Sequence, residues 1–146
     1  ILHNQHYYLV FCSEKWKKIC HFRVDKISDI YITDEPLTPL RTLKGYENGL
    51  DYKKYATALP YMFTDETERI VFDCDECVID QVVDWFGKNA RISAAGGGKY
   101  EVTVYASPNA MEYWAMQYLN YVEIKSPASL REKIRDNLLK AEEKYK

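Results

Sequence analysis

No run of the 146 residues is long and apolar enough to span a bilayer. No basic, apolar leader precedes the first strand-like segment, so neither a membrane partner nor export is expected. Charge of one sign is lacking too. Twenty Lys and Arg face 22 Asp and Glu, for a net charge of -2. That balance does not announce a nucleic-acid binder, although a local patch can still act as one. Cysteine is sparse: Cys12, Cys20, Cys74 and Cys77 are too few for a disulfide scaffold at this length, and free thiols in the cytoplasm are the simpler expectation. An initiator methionine is absent, which suggests a fragment or a trimmed chain. Internal repeats and low-complexity tracts are also missing. Catalytic pairings are not visible: His3, His6 and His21 have no Ser or Cys in a nucleophile context. The acid pairs Asp34–Glu35 and Glu142–Glu143 fall in a loop and on a solvated helix. No enzyme, no cofactor and no resident metal is expected.

What is present is a globular composition, 47% hydrophobic and 29% charged, with 13 tyrosines. Tyrosine combines apolar area with a hydroxyl and suits half-exposed faces and interfaces. The length allows one ordinary domain or two small ones.

The pattern along the chain is that of two β-containing parts. Residues 6–12, "HYYLVFC", predict a strand covered on both faces. The polar turn "SEKWKK" leads into "ICHFRVD", which alternates Cys20, Phe22 and Val24 against His21, Arg23 and Asp25. "ISDIYIT", 27–33, reads as a third strand of the same antiparallel meander, a barrel-like wall. Pro36, Pro39, Gly45 and Gly49 then mark a linker over 34–66, with a short helix ending before Pro60.

From 67 onward the order β-α-β-β-α-β is expected, the split βαβ or ferredoxin-like arrangement, followed by one more helix. "ERIVFDC" supplies the first strand. Val78, Val82 and Phe86 stripe the first helix, with Asp75 as N-cap and Gly87 as its stop. "RISAAGGGKYEVTVYA" reads as a hairpin turned at Gly96-Gly97-Gly98. Ser107 and Pro108 open the second helix, on which Met111, Trp114 and Tyr118 share a face. "YVEIK" is a strand. A second Ser-Pro pair opens the last helix, striped by Leu130, Ile134, Leu138, Ala141 and Tyr145.

Three motifs invite chemistry. Cys74-Asp-Glu-Cys77 has CxxC spacing, but zinc needs four ligands and Cys12 and Cys20 have the wrong spacing for a second knuckle. Its two acids oppose thiolate formation, so buried structural thiols are expected over a metal or redox switch. "AGGGK" lacks P-loop spacing and joins two strands, which makes it a hairpin turn. The segment "EKWKKICHFRVDK" carries Lys15, Lys17, Lys18, Arg23 and Lys26, interleaved with Trp16, His21 and Phe22. Such a strand can follow a phosphate backbone and stack bases. A solvated strand edge kept soluble by lysines has the same composition.

These residues carry a resemblance. Tyr7-Tyr8-Leu9, followed by Phe22-Arg23-Val24-Asp25-Lys26-Ile27, resembles the second half of a WYL domain, whose Trp-Tyr-Leu strand is followed by a motif close to F-R-x-D-R-I. The part from 67, with Trp114 and "VEIKSPASLREKI", is similar to the C-terminal extension that follows that domain, and "YMFTDETERIVF" fits the junction. Tyr7 stands where the triplet has Trp, and Lys26 where the second motif has Arg. Leu119 or Asn120 replaces a glycine before the extension's last strand. A Lys lacks the bidentate fork of Arg, so a phosphate or carboxylate would be held differently.

The resemblance implies a partial Sm-like or SH3-like β-barrel over 1–33, the linker, and a ferredoxin-like domain over 67–146. It also implies a ligand-responsive bacterial transcription regulator, whose helix-turn-helix and first barrel strands would lie upstream. Operator DNA would be bound only by that absent part. Tyr7, Tyr8, His21, Arg23 and Lys26 are the expected ligand-binding residues, for single-stranded nucleic acid or a small anionic effector. One tyrosine is expected to pack inward while the other joins His21, Arg23 and Lys26. An open barrel wall also predicts a homo-oligomer, paired through 6–12 or 20–33. The alternatives are a small-molecule regulatory module and the Cys74–Cys77 switch.

Overall fold

The computed structural model describes residues 1–3, 5–51, 60–63 and 66–146. The short helix expected before Pro60 lies outside them. The chain divides into two compact units, 1–56 and 57–146. It is mixed α+β, with two antiparallel sheets and, among the described residues, three α-helices.

The first unit is a three-stranded sheet in the order β1-β2-β3, comprising β1 (Leu2–His3), β2 (His6–Ser13) and β3 (Lys18–Arg23). The strand from His6 therefore has a neighbour on its N-terminal side: Leu2 lies opposite Tyr7 and His3 opposite His6. Gln5, at φ 64°, is the turn residue before β2. β2 pairs with β3 from Tyr8↔Arg23 to Ser13↔Lys18. Directly opposed residues share a face, so Leu2, Tyr7, Leu9 and Phe22 lie on one side. His3, His6, Tyr8, Val10, His21 and Arg23 lie on the other.

Two expectations fail here. β2 is not covered on both faces: Tyr7 is 66% and Leu9 44% exposed. The run 27–33 is not a strand, and Ile32 is fully exposed. A 3-10 turn, Val24–Lys26, ends β3 and turns the chain away from β2. Without a ladder partner, a β-rich composition does not hold a strand. The alternation expected to run through Val24 and Asp25 stops at the same turn.

The second unit holds the larger core. β4 (Glu68–Asp75), α1 (Ile79–Phe86), β5 (Arg91–Gly96), β6 (Lys99–Ala106), α2 (Pro108–Gln117), β7 (Val122–Ser126) and α3 (Ala128–Glu143) follow in that order. The sheet runs β5-β6-β4-β7, and every neighbouring pair is antiparallel. Ile70, Phe72 and Cys74 alternate inward from β4, and Val102 and Val104 from β6. Against them pack Val78, Val82 and Phe86, Met111 and Trp114, and Leu130 and Ile134. The helical spacing of four read from the sequence is the spacing of these buried residues.

The caps divide. Ser107 accepts from the Ala110 N–H at 3.3 Å with Pro108 following, as expected. Gly87 ends α1 at φ 59°, its N–H bonded to the Val83 carbonyl. Asp75 does not cap with its side chain: a 3-10 turn, Glu76–Val78, precedes α1 and makes Val78 the cap position. Ser126 belongs to β7, and α3 begins after Pro127 without a side-chain cap. The apolar stripe of α3 stops at Ala141, since the helix ends at Glu143 and Tyr145 is 92% exposed.

Candidate functional site

Pairing of β2 with β3 brings Tyr8 directly opposite Arg23, and places Val10 opposite His21 two residues further on. Tyr8, His21 and Arg23 thus share one face, each half-buried. Tyr7 is on the other face with Leu9 and Phe22, because neighbouring strand residues point to opposite sides. The tyrosine that does not join Arg23 faces solvent and does not pack inward. Lys26 follows in the 3-10 turn, is exposed, and has no ion pair among the described residues.

Arg23 is held as a fork. Its Nε donates to Asp25 Oδ1 at 3.0 Å and its Nη2 to Oδ2 at 2.6 Å. Nη2 also lies 3.2 Å from His6 Nδ1. A guanidinium has only donors, so Nδ1 of His6 is the acceptor in this contact. The hydrogen bond from Arg23 holds the Asp25 carboxyl below its ordinary value of 3.8. The same bond raises Arg23, which stays charged at any physiological pH. For Asp25 the sign is that of a depressed carboxylate: the pairing is intact above pH 3.8 and is lost only as the pH falls through the lower folded value.

His6 was not among the residues singled out from the sequence as ligand-binding. The signal is its position two residues before Tyr8 on the same face of β2, which matters only once the β2–β3 register sets Tyr8 opposite Arg23. The remaining basic residues of the segment are separated from this cluster. Lys15 and Lys17 lie in the β2–β3 turn and Lys18 at the start of β3, five strand residues from Arg23. That is about 17 Å at 3.3–3.4 Å per residue. Trp16 lies at that turn as well, 53% exposed, with Lys15 Nζ 5.4 Å from its ring centroid. Trp16 and Arg23 cannot grip the same small ligand, but one extended polyanion can reach both.

The CxxC pair is split by burial. Cys74 sits at the end of β4, 1% exposed, whereas Cys77 is exposed, so the expectation of two buried thiols holds for Cys74 alone. Burial, reinforced by Asp75 and Asp73, pushes the Cys74 thiol up to about 11. No group of three or more metal-ligating side chains occurs among the described residues. Alkylation with iodoacetamide at pH 8 should modify Cys77 in the folded protein and leave Cys74 unmodified until denaturant is added, as peptide mass spectrometry will show. Equal rates at both would restore the thiol-switch reading.

The comparisons bear on the second unit. The model of the WCX domain family matches residues 66–141, just over half of the chain. No curated protein matches the chain. Among the described residues, no helix is long and apolar enough to cross a membrane.

Proposed function

The chain belongs to the WCX domain family, the WYL-associated C-terminal domain of WYL-type regulators, and on that premise we propose that it is the ligand-sensing and oligomerising part of a bacterial transcription regulator. In this reading the first unit is a partial Sm-like wall and the second a ferredoxin-like domain with an added helix. The strand order β5-β6-β4-β7, with helices after its first and third strands in sequence, supports the second assignment.

The site is the Tyr8–His21–Arg23 face of β2 and β3, extended by Lys26. The observation that carries it is the Arg23 fork, placed directly across from Tyr8. A guanidinium beside an aromatic ring suits a ligand that is anionic at one end and flat at the other, such as a nucleotide. Lys26 adds a charge, and Asp25 holds Arg23 in place. Tyr7 belongs to the second role. With Leu2, Leu9 and Phe22 it forms an exposed apolar face suited to a second copy of the chain. The cytoplasm is the corresponding compartment, and the role is non-enzymatic.

Single-stranded DNA and RNA oligonucleotides titrated against the purified chain at low and moderate salt test the site. Saturable binding that weakens with salt, with a log–log slope of about -0.7 per phosphate neutralised, is expected. Binding that ignores salt, or none at all, removes the nucleic-acid version. Saturation by a small anion alone would leave the effector version in place.

A further inference from the structure

The second unit contains a concavity that the nucleic-acid reading does not use. It lies where α3 crosses β7 and the end of α2, and has a volume of about 570 Å³. That is within the range of small-molecule sites, about 300–1,000 Å³. Its apolar walls are Ala115, Val122, Ile124, Ile134 and Leu138, with Leu119 at the edge. Four of these, Ala115, Val122, Ile124 and Ile134, also belong to the packed core, so the floor is built by the core itself.

The mouth carries both signs of charge. Arg131 and Arg135 stand one helical turn apart on α3, and Glu132 and Glu123 line the same opening. Arg131 is pre-positioned: its Nη1 donates to the Ile124 carbonyl at 2.6 Å and to Glu123 at 2.8 Å. Its Nε and Nη2 have no partner among the described residues. Among the described residues, Arg135 makes one ion pair, with the neighbouring Asp136 at 3.2 Å. Glu132 has no hydrogen bond or ion pair among the described residues, whereas Glu123 is shared between Arg131 and Lys125. The opening therefore offers unspent donors for a carboxylate and one unspent carboxylate for a cation. Both lie above an apolar floor.

We propose that this cavity binds an apolar α-amino acid as its zwitterion. The ligand carboxylate meets Arg131 and Arg135, its ammonium meets Glu132, and its side chain rests on Ile124, Ile134 and Leu138. A plain fatty or aromatic acid would leave Glu132 beside its carboxylate, and an amine would leave the arginines unmatched. Specificity here comes as much from those mismatches as from the fit. The site belongs to the second unit and Arg23 and Lys26 to the first, and its success or failure does not depend on theirs.

The test is calorimetric titration of the whole chain with L-phenylalanine and L-leucine, beside N-acetyl-L-phenylalanine and L-phenylalaninamide. At least one free amino acid should saturate with a Kd of about 1 mM or tighter. The blocked forms of phenylalanine should bind about tenfold more weakly than phenylalanine or not at all, the loss expected for one charged hydrogen bond. Glu132→Gln and Arg135→Gln alter exposed side chains and should weaken binding similarly, with the thermal midpoint of the free protein unchanged. Ala128→Trp, also on an exposed lining residue, should obstruct the cavity. Absence of saturable binding by both amino acids, or equal affinity for N-acetyl-L-phenylalanine and phenylalanine, overturns the proposal. So does binding indifferent to all three substitutions.

Discussion

Trp114→Ala should destabilise the second unit by about 3–5 kcal/mol, the range for removing a buried Trp or Phe side chain. A small domain has only about 5–15 kcal/mol in total, so the variant will sit at or near the unfolding threshold at room temperature. Trp114 is completely buried. Its ring centroid lies 5.1 Å from Phe86, 5.3 Å from Phe72 and 5.0 Å from Tyr118. One side chain therefore joins α1, β4 and α2, and its loss leaves a cavity that three elements must shift to fill. Its indole Nε1 has no hydrogen-bond partner among the described residues. Trp114→Phe should accordingly be much milder than Trp114→Ala, since it keeps most of the aromatic packing and removes a buried donor. Urea denaturation followed by far-UV circular dichroism separates the two variants. Similar midpoints would show that the ring packing is not what holds this core.

The second large effect is on binding. Arg23→Ala combined with Lys26→Ala should lower affinity for an anionic oligonucleotide by about a hundredfold or more, since charged hydrogen bonds contribute about 1.5–3 kcal/mol each. It should also flatten the salt dependence by about 1.4 in log–log slope, about 0.7 for each charge. Asp25 makes the experiment more informative. It occupies Nε and Nη2 of Arg23, so an incoming phosphate competes with it for the fork. Asp25→Asn removes that competing charge and should bind the same oligonucleotide more tightly than the parent. Arg23→Ala alone leaves an unpaired carboxylate beside the site and should lose more than one contact's worth. Fluorescence anisotropy at two salt concentrations reads all four proteins. Unchanged affinity in the double variant would move the ligand away from this face.

Lower pH should not imitate Asp25→Asn until the solution is well below pH 3.8, because Arg23 keeps Asp25 ionised to that point. The pairing is thus a constant of the site under physiological conditions, not a switch.

The second unit was more legible than the first. Its helices carry apolar residues every fourth position, its hairpin is punctuated by Gly96, Gly97 and Gly98, and Ser107-Pro108 marks a helix start. These are local signals, and local signals survive without knowledge of neighbours. Where local chemistry competed with the chain's path, the sequence misled. Asp75 has the side chain of an N-cap, but a 3-10 turn places Val78 there. Ser126 has the same promise and is used to finish β7.

In the first unit the decisive facts are non-local. Residues 27–33 are rich in Ile and Tyr as a strand is, yet nothing pairs with them among the described residues, and a strand's stability lies in its ladder. The Tyr7–Tyr8 pair could be read only as one in and one out. Which tyrosine meets Arg23 depends on register, and a slip of one residue would exchange them.

The sequence by itself determined the family resemblance, the strand and helix order after 67, the apolar stripes that build the core, and the charges available near Arg23. Composition, period and spacing are properties of the chain, and they act before it folds. Only the tertiary structure decided that Tyr8 and not Tyr7 lies across from Arg23, and that His6 approaches the same guanidinium. It also decided that Cys74 is buried while Cys77 is not, and that Arg131 and Glu132 share an opening over a core-lined floor. Each of those facts depends on residues far apart in sequence being brought within a few ångströms, and pairing register and helix packing set that distance.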